Sequence, residues 1–334
     1  MKRVALPLLI VAGLTSSALA ADMATKAPPA PPAPPPSPWD VAISAALMND
    51  YNFRGITQSR HNPSTAAGFE ARYTFNPQWQ AYAGISGESI DFPNHAAAEI
   101  DFYGGIRPTF DKLALDFGYW FYGYPGGQCF NDLAVGGATC TAASGLQTPL
   151  PNGNVIKQDL SFWEVYAKAT YTVNDNLSFG GSVFYSPSVL NSGADGTYVA
   201  GTIKYIIPNA PLPKDIGVFI SADVGHWFLG TSDAFYCTQV AGFCGGAFPT
   251  GIPYTSYTNW DVGLAFTYKV FTLDLRYFDT NLNKGDCNAF TSDHTATGIA
   301  TTAINPFPAP GSNWCGSAFI AKFSMDMTLG ANLK

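Results

Sequence analysis

The stretch Lys112–Phe121, KLALDFGYWF, alternates between two kinds of side chain with a period of two. Its odd-numbered positions hold leucine, phenylalanine and tyrosine, whereas its even-numbered positions hold lysine, alanine, aspartate, glycine and one tryptophan. Trp260–Lys269 and Phe271–Tyr277 repeat this pattern. Because successive side chains of a strand point to opposite faces, the pattern predicts β-strands with one apolar and one polar face.

The composition places these strands in a membrane. Charged residues make up only 12% of the chain and aromatic residues 14%, whereas ordinary globular domains contain roughly 25% charged residues. No apolar run beyond the N-terminal region is as long as the ~18 residues that a transmembrane helix needs, which excludes a helical membrane protein. A transmembrane β-barrel fits, because its apolar surface is distributed over alternate positions of many strands.

Segments with the two-residue period predict about twelve strands. They lie near 40–54, 65–75, 78–90, 97–107, 112–122, 159–173, 177–186, 197–206, 216–229, 257–268, 271–280 and 317–329. Each is at least about as long as the 9–11 residues with which a tilted strand crosses a bilayer.

The connections between these segments alternate in length. The short ones lie at Asn76-Pro77, Pro108–Asp111, Asn174–Asn176, Pro208–Asp215 and Lys269-Val270, and the longer ones at 55–64, 91–96, 123–158, 187–196, 230–256 and 281–316. Outer-membrane barrels have short periplasmic turns and long outer loops. The sequence therefore predicts an all-β, transmembrane antiparallel β-barrel with both termini in the periplasm and no helix between Trp39 and Leu329.

The N-terminal region predicts export. Residues 1–20 combine a basic start, the apolar run Val4–Leu14 and the small residues Ala18–Ala20, as in a secretory signal peptide. Residues 21–38 are rich in proline and predict a stiff periplasmic tether, which leaves 39–334 for the barrel. We expect outer-membrane lipid, lipopolysaccharide and the barrel-assembly machinery as partners. The net charge of −7 argues against nucleic acid.

The polar faces of the strands would line the lumen. Our candidates for a lumen constriction are Arg54, Glu70, Arg72, Glu99, Asp101, Arg107, Asp116, Glu164, Lys168, Asp274, Arg276, Lys322 and Asp326. With Asp50, Glu88, Asp223, Asp261, Lys112, Lys204 and Lys269, the inward set contains eleven acidic and nine basic positions. These charges either sort solutes with a weak preference for cations, or pair across strands and fill a narrow barrel.

The six cysteines fall two by two in the three longest predicted outer loops. Exported proteins meet an oxidising periplasm, which favours disulfides over a zinc site, and the sequence has no CxxC spacing. Six cysteines allow 15 connectivities, but pairs within one loop are the easiest to bring together. We therefore predict the disulfides Cys129–Cys140, Cys237–Cys244 and Cys287–Cys315, and no metal or cofactor.

Two segments resemble a known family. Asn49–Gln58, NDYNFRGITQ, and Glu99–Gly105, EIDFYGG, are similar to recurring blocks of the TorF family of porins. The resemblance covers the first two predicted hairpins well, and it implies an outer-membrane barrel that passes small solutes. It implies no catalytic residues. The chain departs from the usual aromatic end of such barrels, because it finishes Gly330–Lys334, so we expect a final strand near Phe319–Leu329 and a short tail.

Three function classes remain from the sequence. A porin that passes small hydrophilic solutes fits best, and a structural or adhesive barrel without conductance is the alternative. An outer-membrane hydrolase is a third class, which would need a nucleophile or water beside a positioned base. Three of the four histidines fall in predicted outer loops, and no serine lies two residues from His226 on its strand. The sequence therefore predicts a protein that is not an enzyme.

Overall fold

The computed structural model describes residues 37–131, 140, 145–146, 148–236, 251–305 and 309–332. Within them, twelve antiparallel strands form one closed barrel, in which each strand pairs with its neighbours in the chain and the last strand pairs with the first. The predicted fold is confirmed. None of the helices in these residues is long and apolar enough to span a bilayer.

The strands follow the predicted order closely. They are β1 Trp39–Met48, β2 Ser64–Asn76, β3 Trp79–Glu88, β4 Glu99–Phe110, β5 Leu113–Gly123, β6 Phe162–Thr172, β7 Leu177–Ser186, β8 Gly196–Ile206, β9 Ile216–Leu229, β10 Tyr257–Tyr268, β11 Phe271–Thr280 and β12 Ala318–Thr328. The six long connections, loops L1 to L6, are 49–63, 89–98, 124–161, 187–195, 230–256 and 281–317. All six begin and end at the same end of the barrel, because the strands that they join alternate in direction.

The outward face of the barrel is apolar. Large hydrophobic side chains alternate along the strands and remain exposed, among them Leu47, Phe69, Ile85, Phe102, Phe117, Val183, Val199, Val262 and Phe323. Exposed aromatic side chains such as Trp39, Phe75 and Trp79 lie near the short-turn end. A barrel in lipid requires such an arrangement, because its apolar side chains face the lipid and not an internal core.

The buried apolar core lies at the long-loop end. Its members come from all six long loops and from the adjoining ends of the strands, including Ile56, Phe92, Tyr124, Val189 and Phe290. The outer loops therefore pack against one another and fill this end of the barrel. The sequence had predicted long loops here but not that they share a core.

Three local predictions are wrong. The first strand ends at Met48 rather than at 54, because Asn49 and Asp50 use their side chains to bind β12 and L1. β4 continues through Pro108, which lacks an N–H, and its pairing with β5 stops at Ile106 and resumes at Thr109. An α-helix, α1 at Lys284–Thr291, lies in L6, where Asn283 caps its N-terminus by accepting a hydrogen bond from the backbone N–H of Asp286.

Two of the predicted disulfides are present. Cys129 bonds to Cys140 in L3, and Cys287 in α1 bonds to Cys315 near the end of L6. The third predicted pair, Cys237–Cys244, lies outside the described residues. The second bridge ties α1 to the start of β12, and Phe290 of α1 packs edge-on against Trp227 with 5.7 Å between ring centroids.

We expect replacement of Cys287 and Cys315 by serine to loosen L6 without unfolding the barrel. The bridge joins residues 28 apart. A ring of that size lowers the conformational entropy of the unfolded loop, which stabilises the folded loop by about 3–4 kcal/mol. Limited proteolysis of the folded protein should therefore cut L6 faster in this variant. The Cys129→Ser/Cys140→Ser variant is the control, since its smaller ring should have a smaller effect and leave L6 protected. Equal cleavage of L6 in all three proteins would contradict this.

Candidate functional site

The lumen wall contains a network of ion pairs on β2, β4 and β5. The guanidinium of Arg107 donates to both carboxylate oxygens of Glu70, at 2.7 and 3.0 Å, and to Asp116 at 3.2 Å. Arg72 donates to Glu70 at 2.5 Å. Glu70 and Arg107 lie on strands that are separated by β3, so their contact crosses the inner surface of the sheet.

Tyrosines narrow the lumen beside this network. The hydroxyl of Tyr82 on β3 donates to Asp116 at 2.5 Å and also contacts the hydroxyl of Tyr166 on β6. Arg107 covers the ring of Tyr82, with 3.5 Å between the guanidinium carbon and the ring centroid. The two tyrosines are not among the predicted lumen residues, although their inward position follows from the same two-residue period.

A second charged group lies on the opposite side of the wall. Arg276 on β11 pairs with Asp261 on β10 and donates to Asp274 at 3.0 Å and to Ser221 on β9 at 2.6 Å. Lys322 on β12 is the cross-strand partner of Asp274. Asp274, Arg276 and Lys322 help to line a cavity of about 250 Å³.

The hairpin of L1 enters the lumen from the outer end. Asn52–Phe53 pairs with Ile56–Thr57, and the turn residues Arg54 and Gly55 have φ angles of 51° and 83°. Two successive positive φ angles are typical of a tight turn that fits the twist of a hairpin. A side chain at Gly55 would place its Cβ only 2.9 Å from Cβ of Asn259 on β10, so glycine lets the turn approach the wall closely.

Arg54 anchors the tip of this hairpin to the far wall. Its two terminal nitrogens donate to the two carboxylate oxygens of Glu164 on β6, at 2.8 and 2.7 Å. The side chain of Arg54 is 6% exposed and that of Glu164 is fully buried. The guanidinium carbon also lies 4.3–4.9 Å from the ring centroids of Tyr198, Trp227, Phe53 and Phe184. Such a planar bidentate pair in an aromatic cage fixes both position and orientation.

The base of L1 is organised around Asp50. This buried carboxylate accepts hydrogen bonds from Thr57, from Ser59 at 3.0 Å and from Nδ1 of His61 at 2.7 Å. The hydrogen bond to Asp50 raises the pKa of His61 above its usual value. This cluster was not predicted from the sequence, because the prediction considered a serine near a histidine at strand spacing and not within a loop.

The Asp50–His61 pair does not have the arrangement of a general base. Nε2 of His61 lies 2.9 Å from the backbone carbonyl of Asn313, and Nδ1 faces Asp50. The Ser59 hydroxyl lies 3.0 Å from Asp50 and 2.7 Å from the carbonyl of Asn62, and its single proton points to these acceptors rather than to His61. Because both ring nitrogens already have partners, this histidine serves to hold L1 in place.

Twelve of the thirteen constriction candidates lie on strands with inward parity. Glu99 and Asp101 on β4, Lys168 on β6 and Asp326 on β12 join the groups described above. Arg54 differs, because it lies in the L1 turn and not on a strand. Three other predicted inward charges are also displaced: Asp50 lies in L1, and Lys112 and Lys269 are exposed in short turns. Of the predicted inward set, ten acidic and six basic residues therefore lie on the described strands.

Comparison with solved structures finds other barrels at low similarity. The NanC porin has 8% identity and a TM-score of 0.40 over 85% of this chain and 98% of that one. LpxR from Salmonella typhimurium has 9% identity and a TM-score of 0.38 over 86% of this chain and 99% of that one. OmpT, an outer membrane protein of Vibrio cholerae, has 11% identity and a TM-score of 0.34 over 86% of this chain and 96% of that one. These similarities are too low to carry an inference about activity.

Comparison by sequence gives a family but no characterised relative. No curated protein matches the chain. One family model matches residues 32–305, which include eleven of the twelve barrel strands. The chain therefore belongs to the Gcw_chp family, which is described as a bacterial protein of unknown function.

Proposed function

We propose that this protein is an outer-membrane porin of a Gram-negative bacterium, closed by L1 in the conformation described here. Movement of the L1 hairpin would admit small hydrophilic solutes by diffusion. The observation that carries the proposal is the Arg54–Glu164 pair, because it fastens a loop across a lumen whose wall is charged. A barrel that needed only a filled interior would gain more from apolar packing than from paired charges.

The alternative is a barrel without conductance that serves a structural or adhesive role. The shared core of the outer loops favours it, since these loops also cover the entrance. A hydrolase has less support, because His61 has no free ring nitrogen among its described contacts. The resemblance of Asn49–Gln58 and Glu99–Gly105 to the TorF porins supports the channel. Outer-membrane lipid, lipopolysaccharide and the assembly machinery are its proposed partners.

We expect Glu164→Gln to open the channel. The substitution leaves the buried guanidinium of Arg54 without its counter-charge, and breaking a buried pair in this way costs about 3–5 kcal/mol. The ratio of open to closed L1 should rise by roughly 100-fold or more. Single-channel recording in planar bilayers measures this as longer or more frequent open states than in the wild type.

The matched control is the Arg54→Gln/Glu164→Gln double variant. It removes both charges and leaves neither one buried alone, so its open probability should lie between those of the wild type and Glu164→Gln. If neither variant conducts, and both remain folded by circular dichroism, the porin proposal is wrong and the structural role stands.

Alkaline pH should loosen the base of L1. His61 has a raised pKa because of its hydrogen bond with Asp50, and the charge of Asp293 and the carbonyl of Asn313 act in the same direction. The stabilisation of L1 by protonated His61 is complete below the pKa of about 6.5 that the residue has in the unfolded chain. This stabilisation is lost as the pH rises through the raised pKa of His61 in the folded protein. Open probability should therefore increase as the pH rises above about 6.5 and through the raised pKa of His61, and His61→Gln should abolish most of this dependence. An unchanged pH profile in that variant would refute the role of His61.

The open channel should prefer cations. Of the charges that the sequence predicts to point inward, ten acidic and six basic lie on the described strands, so the excess of negative charge is larger than in the full predicted set. Opposite charges nevertheless pair along the wall, so the preference should be weak. The reversal potential of Glu164→Gln under a KCl gradient measures it, and a clear anion preference would contradict this expectation.

A further inference from the structure

We propose that Glu88, Glu99 and Asp101 form a binding site for one divalent cation, of the calcium class, inside the outer half of the barrel. Glu88 ends β3, and Glu99 and Asp101 begin β4. Neither the family resemblance nor the proposed channel assigns a cation site here, and the site does not depend on conductance.

The strand register brings the three carboxylates together. Glu88 is the direct cross-strand partner of Glu99, and Asp101 follows two residues later on the same inward face. One carboxylate oxygen from each residue lies within 4.8 Å of the others. Two oxygens that share a calcium ion at 2.3–2.6 Å lie at most about 5.2 Å apart, so the spacing suits a common ion.

The cluster has no protein counter-charge among the described residues. Glu70, Glu164 and Asp274 each contact an arginine, whereas no arginine, lysine or histidine lies within ion-pair distance of these three carboxylates. Glu99 and Asp101 are 2% and 3% exposed. Like charges directly opposite each other destabilise a strand pair, and burial strengthens their repulsion. A divalent cation would neutralise most of this charge.

Two oxygens of the cluster are open for coordination. Oδ2 of Asp101 accepts a hydrogen bond from Ser86 at 3.2 Å, whereas Oδ1 of Asp101 and Oε2 of Glu88 are buried and have no partner at hydrogen-bond distance and angle in the described structure. Such buried acceptors are costly when they stay unsatisfied. Asp101 is itself more than nine-tenths buried, so solvent at the surface does not supply the missing partner. This orphaned oxygen, rather than the acidity of the cluster alone, points to a ligand.

Glu99 is held in position by two loops. Its Oε1 accepts a hydrogen bond from Tyr51 of L1 at 2.7 Å, and its Oε2 accepts one from Tyr124 of L3 at 3.0 Å. Glu88 lines the cavity of about 250 Å³ below L1, which gives room for an ion and its remaining waters. The ligands are all oxygens on an irregular frame, which suits Ca²⁺ better than Mg²⁺, because Mg²⁺ requires nearly ideal octahedral geometry.

The test is calcium binding by the folded, full-length barrel in detergent. Isothermal titration with CaCl₂ after treatment with a chelator should give one saturable site, weakened at least tenfold in Glu88→Gln/Asp101→Asn. Terbium provides a second readout, since Tyr51 and Tyr124 lie close enough to sensitise its luminescence and Ca²⁺ should compete for the site. Mg²⁺ should compete less effectively.

Asp326→Asn is the matched control, because it removes an inward carboxylate on β12 outside the cluster. It should bind Ca²⁺ as the wild type does, and circular dichroism checks that each variant is folded. Absence of saturable binding to the wild type would overturn the proposal. Equal affinity in the wild type and in Glu88→Gln/Asp101→Asn would overturn it as well, because the ion would then bind elsewhere. Neither result bears on whether the barrel conducts.

Discussion

The ion pair between Arg54 and Glu164 is the contact on which the interior depends. L1 leaves the wall between β1 and β2, and its tip reaches the opposite side of the barrel. Phe53 and Ile56 of the hairpin pack in the apolar core, but these contacts do not fix the direction of its tip. The bidentate pair fixes this direction, and the surrounding rings exclude the water that would weaken it.

The barrel separates its polar and apolar residues in a way that makes this possible. Lipid contacts the outward face of the barrel, so the apolar residues there need no packing partner within the chain. The wall charges instead satisfy one another, as Arg107 does with Glu70 and Arg276 with Asp274. In the described parts of the chain, loops and strands bury a cluster of apolar side chains together at the long-loop end. Rigidity is therefore concentrated at the entrance, and the lumen below it keeps polar surface.

The sequence was sufficient for the wall and insufficient for the loops. The two-residue period places Glu164 and Arg276 on the inner face, because the alternation of side chains is a local property of every strand. The position of Arg54 depends instead on contacts with residues more than 100 positions away, such as Glu164. The same holds for Asp50 and His61, which lie eleven residues apart and meet only because L1 turns back on itself. Helix α1 was not predicted, because its sequence shows no apolar residues at helical spacing. Its N-cap and its disulfide stabilise this helix instead.

The position of the L1 hairpin also constrains how the barrel is assembled. Both ends of L1 continue into neighbouring wall strands, β1 and β2, so the hairpin cannot leave the pore as a separate plug would. Its partners lie on β6 to β10, and the ring closes only when β12 pairs with β1. The hairpin must therefore already point inward when this last seam forms, or thread in later through the crowded outer end. The order of strand insertion and the closed state of the pore are thus linked by chain connectivity.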